Sequence, residues 1–131
     1  MLEVLFEDNH IIIVNKKSGE ITQGDKTGDT PLSEKVKEYI KHKYNKPGNV
    51  FIGTVHRLDR PVTGVIVFAK TSKALIRLNK MFQDKKMQKT YWALCSKAPK
   101  VKHQKLSHYL VKDTQKNKTK AHLREIPNGK K

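Results

Sequence analysis

Apolar positions at the start of the chain form two short runs with strand character. Residues 2–6 and 10–14 are rich in apolar and β-branched side chains, and the three residues between them are polar. Runs of this length separated by turn-forming residues predict a hairpin or two adjacent strands. The polar loop 24–30 comes later and carries two glycines and two aspartates. Its composition suits a connector, or a segment that contacts a ligand.

Two helices are predicted downstream. Thr30 can accept a hydrogen bond from an orphan amide and Pro31 suits a first helical position, so the pair marks a helix start. Apolar spacing carries this helix to about residue 44. The second helix is predicted to begin at Thr71 or Ser72 and to end at the polar residues 84–86. The apolar faces comprise Leu32, Val36, Tyr39 and Ile40 in the first helix, and Ala74, Leu75, Leu78, Met81 and Phe82 in the second.

The remaining apolar runs predict further strands. Residues 50–55 lead into a polar loop at 56–63, and the run 64–70 leaves it. A strand is expected over 87–95, with Trp92 in the core and Cys95 packed at its end. Two more are expected at 106–111 and 119–126. The pattern indicates a single α+β domain over residues 1–131, with a mixed, largely antiparallel sheet and flanking helices.

Charge narrows the class of partner. The chain carries 28 Lys and Arg against 12 Asp and Glu, a formal net charge of +16. Residues 1–69 have 10 basic and 9 acidic side chains, whereas residues 70–131 have 18 and 3. A polyanion is the expected partner. Nucleic acid fits better than a membrane because the basic half has no apolar stripe suited to lipid, although a solvated lysine-rich surface is the alternative.

Other features exclude several kinds of protein. The single cysteine, Cys95, leaves no internal disulfide framework, so a reducing cytoplasm is expected. The longest apolar runs, 11–14 and 65–69, are too short to cross a bilayer, and no signal peptide is visible. No metal site is expected, since His103 and His108 lie five residues apart and cannot share a strand face.

The polar loop concentrates the candidate chemistry around Asp59. Arg57 and Arg60 flank it, and neighbouring positive charge favours the ionised carboxylate. An ionised aspartate is a poor general acid but a usable nucleophile or electrostatic anchor. The alternative is a structural salt bridge on a loop, in which Arg60 could pair with Asp59.

Residues His56 to Gly64, which read HRLDRPVTG, together with the apolar run that follows them, closely resemble the catalytic motif of the RluA family of pseudouridine synthases. Thr63 stands where serine is common in the family, and it keeps the hydroxyl. The segment VNKK at 14–17 is similar to the family's opening V-N-K-P, with Lys17 in place of proline. The segment KTYWA at 89–93 resembles the K-x-Y-x-A strand. The three motifs follow in the family's order, and the resemblance covers most of the chain.

This resemblance implies a pseudouridine synthase catalytic domain that isomerises a uridine in RNA without a cofactor. Asp59 would be the nucleophile, attacking either the sugar C1′, with or without a glycal, or the base. Tyr91 would contact the target base and is a candidate for removing the C5 proton. Large-subunit ribosomal RNA is the first expected substrate and transfer RNA the second.

The resemblance also implies RNA contacts. A uridine in a stem must leave its stack to react, and Arg57 matches the family arginine associated with this flipping. Arg60 could bind a phosphate, and His56 either contacts RNA or makes a structural hydrogen bond. The cations expected to contact phosphates are Lys70, Lys73, Arg77 and Lys80.

Family members continue beyond the region of Ile126 with a T-G-R-x-H-Q-I-R type motif that this chain lacks. We therefore expect a truncated domain, inactive alone, whose unpaired sheet edges could form a dimer. The alternatives to the enzyme are a non-catalytic basic domain that binds RNA or the ribosome, and a metal-dependent hydrolase, for which the chain offers no ligand cluster.

Overall fold

The structure, a computed structural model, describes all residues from 1 to 131. The chain divides into two compact units, Met1–Thr90 and Tyr91–Lys131, so the assignment of all 131 residues to one domain stays a prediction. Neither helix has the length and hydropathy needed to cross a lipid bilayer.

The first unit contains a four-stranded antiparallel sheet and two helices. Its strands lie in the order β1-β2-β4-β3 and every pairing is antiparallel. The hairpin predicted at the start of the chain is therefore confirmed, as is the α+β class. The elements are β1 (Val4–Glu7), β2 (Ile11–Lys16), α1 (Leu32–Lys43), β3 (Gly53–Thr54), β4 (Gly64–Ala69) and α2 (Ser72–Gln83).

The core lies between α1 and one face of this sheet. Alternate residues of β2 and β4 point to the same face, and they meet the apolar stripe of α1 there. Complete burial of each aliphatic side chain contributes about 1.5 to 3 kcal/mol, so this cluster dominates the stability of the unit. Its members are Ile12, Val14, Leu32, Val36, Ile40, Ile66 and Phe68.

The start of α1 differs from the prediction. Pro31 is the N-cap rather than the first helical residue, and no side chain, Thr30 included, caps the helix. The backbone carbonyls of Ile21 and Thr22 instead accept hydrogen bonds from the first two helical amides, at 2.8 and 3.2 Å. A buried neighbouring segment can satisfy the orphan amides of a helix, so a capping side chain is not needed here.

Helix α2 begins as predicted. Thr71 is its N-cap, and its hydroxyl accepts a hydrogen bond from the Ala74 amide at 3.1 Å. The helix packs against β3 and β4. Gly53 permits this approach, because a β-carbon at that position would lie 2.8 Å from Leu75 Cδ1.

Glu7 connects three elements at one end of the sheet. Its carboxylate, only 6% exposed, binds Lys43 of α1 and Lys70, which follows β4, each at 2.7 Å. The Tyr44 hydroxyl donates a third hydrogen bond at 2.8 Å. Burial acts to raise the pKa of Glu7, but these hydrogen bonds lower it from 4.5 to about 2. The carboxylate is therefore a structural anion at neutral pH.

Replacing Glu7 by glutamine is expected to lower the free energy of unfolding at pH 7 by about 3 kcal/mol, because two lysines lose a buried partner. A folded-state pKa below the unfolded value contributes stability that is complete above pH 4.5 and is lost as the pH falls toward 2. Urea unfolding of both proteins across this range measures the effect, and the two curves should converge at low pH. Glu3→Gln, an exposed change next to β1, is the control; equal losses in the two variants would contradict the prediction.

The second unit contains a β-hairpin, β5 (Tyr109–Asp113) and β6 (Lys118–His122), paired antiparallel. Both strands fall where they were predicted, although β5 begins and ends later and β6 ends earlier. The Asp113 carboxylate accepts hydrogen bonds from the amides of Gln115 and Lys116, each at 3.0 Å, and so shapes the turn.

The prediction of a strand at 87–95 is wrong. These residues form no strand, and Trp92, predicted in the core, is 97% exposed. Cys95, predicted to pack, is also exposed. An extended apolar segment becomes a strand only when another strand satisfies its backbone, and none pairs with this one. Dimerisation through unpaired sheet edges of a truncated domain stays a prediction.

Candidate active site

The polar loop 56–63 joins β3 to β4 and carries Asp59. Gly64 opens β4 with φ of 137°, a backbone conformation that side chains with a β-carbon disfavour. The Val62 amide donates to the Asp59 carbonyl at 3.0 Å, which closes a tight turn around Asp59. The loop therefore enters the sheet through one fixed turn.

Lys16, which is completely buried, binds the backbone of this turn. Its ammonium donates hydrogen bonds to the carbonyls of Val62 at 2.6 Å, Arg60 at 3.0 Å and Lys17 at 3.2 Å. A lysine ammonium has three N–H donors, so its donor capacity matches these three acceptors. One buried cation therefore holds two positions of the turn after Asp59, Arg60 and Val62.

Lys16 was not among the residues singled out from the sequence. The available signal was its place in β2, where it continues the inward alternation of Ile12 and Val14. Burial lowers its pKa, whereas the negative charges of Glu20 and Asp59 act in the opposite direction. Attraction between Lys16 and Asp59 links the buried cation to the candidate nucleophile.

Thr22 and Gly19 fix the backbone on both sides of Asp59. The Thr22 hydroxyl donates to the Leu58 carbonyl at 3.2 Å and lies 3.3 Å from the Leu58 amide, which donates to it. The Gly19 amide donates to the Arg60 carbonyl at 2.9 Å. The neighbours of Asp59 are thus held by hydrogen bonds from residues distant in sequence.

The Asp59 side chain itself is exposed and makes no hydrogen bond or ion pair. The pairing with Arg60 considered above is not observed, because that guanidinium binds Asp29 at 2.6 Å and Asp25 at 3.1 Å. A carboxylate without a partner on a fixed backbone is available for reaction. This arrangement suits a nucleophile better than a structural salt bridge.

His56 connects the loop to β4 and α2. Its Nε2 accepts a hydrogen bond from the Val67 amide at 3.0 Å, and its ring stacks on Phe82 with 5.0 Å between centroids. Burial and the positive charge of Lys89 lower its pKa, so the imidazole is neutral at pH 7. The Nε2 lone pair is therefore already occupied and not free for RNA.

The predicted RNA-contacting cations differ in their surroundings. Arg57 is exposed and has no ion-pair partner. Lys70 is bound to Glu7 and to the Asp8 carbonyl at 2.6 Å, and Lys80 lies 3.4 Å from Asp84. None of these three has a direct contact with Asp59.

Lys73 and Arg77, both exposed, have no acidic partner and line a surface cavity with His10. In the antiparallel ladder Gly64 pairs with Lys16 and Ala69 with Ile11, so this cavity lies beyond the end of β4 farther from Asp59. At about 3.4 Å per residue, the two ends of β4, Gly64 and Ala69, lie roughly 17 Å apart. Lys73 and Arg77 therefore lie toward the end of β4 that is farther from Asp59.

Tyr91 lies at the start of the second unit, and its ring is 62% exposed. No group of three or more His, Cys, Asp or Glu side chains is arranged to hold a metal ion.

Comparisons with known proteins give one consistent family. The family model described as "RNA pseudouridylate synthase" matches residues 10–131. The chain is 36% identical over 115 residues to "Ribosomal large subunit pseudouridine synthase C" of Buchnera aphidicola subsp. Schizaphis graminum, covering 88% of this chain and 35% of that protein. The Escherichia coli K12 protein of the same name is 40% identical over 91 residues, which is 70% of this chain and 27% of the relative.

Another relative carries a different substrate in its name. The chain is 36% identical over 94 residues to "tRNA pseudouridine synthase C" of Pectobacterium carotovorum, covering 72% of this chain and 24% of that protein. The chain thus spans about a third or less of the length of these curated relatives. Among solved structures, "Human RNA Pseudouridylate Synthase Domain Containing 4" matches with a TM-score of 0.54 and 20% identity, over 64% of this chain and 30% of that one. This structural likeness supports the fold.

Proposed function

Because the chain belongs to the RNA pseudouridylate synthase family, we propose that it carries the nucleophile of an enzyme that isomerises uridine to pseudouridine in structured RNA. The observation that supports this most directly is the geometry of Asp59. Its carboxylate is exposed and unpaired, while the backbone on both sides is fixed by Lys16, Gly19 and Thr22. A nucleophile held in this way loses little conformational freedom when substrate arrives.

The reaction is an isomerisation without net consumption of a reagent. The bond between C1′ and N1 breaks, the uracil turns while it remains bound, and a bond forms between C1′ and C5. The proton at C5 is then removed and N1, which carried no proton in uridine, gains one. Asp59 attacks either C1′ or the base in this scheme, both routes remain open, and in either case the bond from Asp59 to the substrate breaks before pseudouridine is released.

Tyr91 is the proposed group that contacts the turning base and takes the C5 proton. A phenol has an unperturbed pKa of about 10, so this step needs either a neighbouring charge or a late intermediate in which the C5 proton is strongly acidic. The exposure of the ring is compatible with contact to a base.

RNA binding is proposed to rest on charge and on base flipping. Arg57 is exposed and unpaired next to Asp59, which suits a side chain that fills the space left by the flipped uridine. Lys73 and Arg77 would contact phosphates farther along the RNA and position it without reading sequence. Both positions are consistent with the strongly basic composition of the chain.

Large-subunit ribosomal RNA is proposed as the first substrate and transfer RNA as the second. The names of the Buchnera and Escherichia coli relatives support the ribosomal substrate, and the name of the Pectobacterium relative supports the transfer RNA. The high positive charge suits either polyanion.

Deleting the gene that encodes this chain is expected to remove pseudouridine from one or a few positions of large-subunit ribosomal RNA. Chemical mapping of pseudouridines in ribosomal and transfer RNA from deleted and parental cells measures this, and restoring the gene is the control. A loss confined to transfer RNA would keep the reaction and change the substrate. An unchanged map in both RNA classes would contradict the enzyme and favour a non-catalytic RNA-binding domain.

A further inference from the structure

Every terminal N–H of Arg60 is directed at a protein acceptor. Its Nη1 donates to Asp29 Oδ2 at 2.6 Å and to the Gly19 carbonyl at 3.3 Å. Its Nη2 donates to the Thr27 hydroxyl at 2.8 Å and to Asp25 Oδ2 at 3.1 Å. Each terminal nitrogen carries two N–H groups, so four acceptors use four donors. No terminal N–H remains for a phosphate.

Three of these bonds, to Asp25, Thr27 and Asp29, are also the only hydrogen bonds that join loop 24–30 to the rest of the chain. All seven of its residues are exposed. The other hydrogen bonds of the loop are internal and connect Thr27 with Asp25 and Asp29. With little buried surface and a single attachment, the position of the loop depends on Arg60.

The ion pairs of Arg60 also neutralise two negative charges close to the candidate nucleophile. Asp25 and Asp29 lie against the residue that follows Asp59, and without Arg60 their two negative charges would face an approaching polyanion unpaired. The hydrogen bond from Arg60 lowers the pKa of Asp29, so that carboxylate stays ionised. An isolated exposed ion pair contributes little, but one guanidinium shared by two carboxylates and a hydroxyl forms a network.

We propose that Arg60 is a positioning residue that fastens loop 24–30 beside Asp59 and neutralises its two carboxylates, and that it does not itself bind RNA phosphate. The inference rests on the proposed function of Asp59 for its catalytic consequence. Its structural part stands on the hydrogen bonds alone.

Backbone ¹⁵N relaxation tests the structural part. In Arg60→Ala the order parameters of residues 24–30 are expected to fall below about 0.6, the range of flexible backbone, with no change in β2 and β4, which shows that the fold is retained. Arg60→Lys keeps the charge but lacks the fork that binds several acceptors, so it should also lower these order parameters. Arg77→Ala removes an unpaired arginine and is the control for the same residues. Unchanged order parameters of residues 24–30 in Arg60→Ala would overturn the proposal.

A mutant cycle tests the catalytic part. Arg60→Ala and the pair Asp25→Ala with Asp29→Ala should each reduce kcat/KM for the mapped RNA by about tenfold, and all three changes together should cost no more than either. If Arg60 binds phosphate instead, adding Arg60→Ala to the Asp25→Ala and Asp29→Ala variant should weaken RNA binding further, which would overturn the proposal. If the intact protein forms no pseudouridine, the proposed function fails, and the relaxation experiment still decides the role of Arg60.

Discussion

Asp59→Asn is expected to abolish pseudouridine formation by the intact protein at the mapped position, a loss of at least about a thousandfold in kcat, while RNA binding persists. Asparagine has nearly the shape of aspartate but is neutral and far less nucleophilic. Because the carboxylate makes no hydrogen bond or ion pair, the stability of the protein should change by less than about 1 kcal/mol. This separation of activity from stability is what distinguishes a nucleophile from a structural salt bridge.

The measurement combines a tritium-release or mapping assay for pseudouridine with filter binding of the same RNA and with urea unfolding. Glu38→Gln removes another exposed carboxylate, on α1, and is the control for the change of charge. Modification that persists in Asp59→Asn would remove Asp59 from the role of nucleophile. Loss of RNA binding together with activity would instead indicate that Asp59 serves as an electrostatic anchor.

Lys16→Met is expected to lower the free energy of unfolding by about 3 kcal/mol and to reduce activity further than this loss of stability explains. Methionine fills similar space but donates no hydrogen bond, so the carbonyls of Arg60, Val62 and Lys17 lose a donor. The turn that follows Asp59 should then shift, and small displacements of a catalytic group cost large factors in rate.

Urea unfolding and kcat measured under conditions where the variant is fully folded separate these two effects. Lys17→Met is the matched control, since that neighbouring lysine is exposed and its side chain has no partner. A Lys16 variant as stable as the Lys17 variant would contradict the proposed support of the turn. Full activity in a destabilised Lys16 variant would show that Lys16 stabilises the fold but does not position the catalytic turn.

Local patterns predicted the elements that depend on neighbouring residues. The hairpin of β1 and β2 follows from two apolar runs and a polar turn, and the start of α2 follows from the hydroxyl of Thr71. Such features need only contacts within a few residues, which the order of residues displays directly.

Contacts between distant segments were not predictable in the same way. The carbonyls that cap α1 belong to residues 21 and 22, and the partners of Arg60 lie more than 30 positions away from it. Backbone carbonyls leave no signature in side-chain patterns, and a guanidinium has no sequence signal that selects one carboxylate over another. For the same reason the flanking arginines suggested pairing with Asp59, whereas Asp25 and Asp29 hold Arg60.

The prediction of a strand at 87–95 fails for a related reason. Its β-branched and aromatic composition is compatible with a strand, but the decisive quantity is the presence of a partner for its backbone. Trp92 remains exposed because no strand of the chain supplies that partner. The family motif still singles out Tyr91 and Asp59 as candidates, since it depends on residue identity rather than on pairing.

Thr22 has a consequence for how the site and the core unfold. Its carbonyl accepts from the first turn of α1, while its hydroxyl binds both backbone groups of Leu58. The helix that covers the core and the loop that carries Asp59 therefore share one residue as their common attachment. Opening either of them breaks hydrogen bonds that Thr22 makes to the other, so we expect the two to unfold as one cooperative unit. Local unfolding of the loop that carries Asp59 should then cost about as much free energy as unfolding of the core.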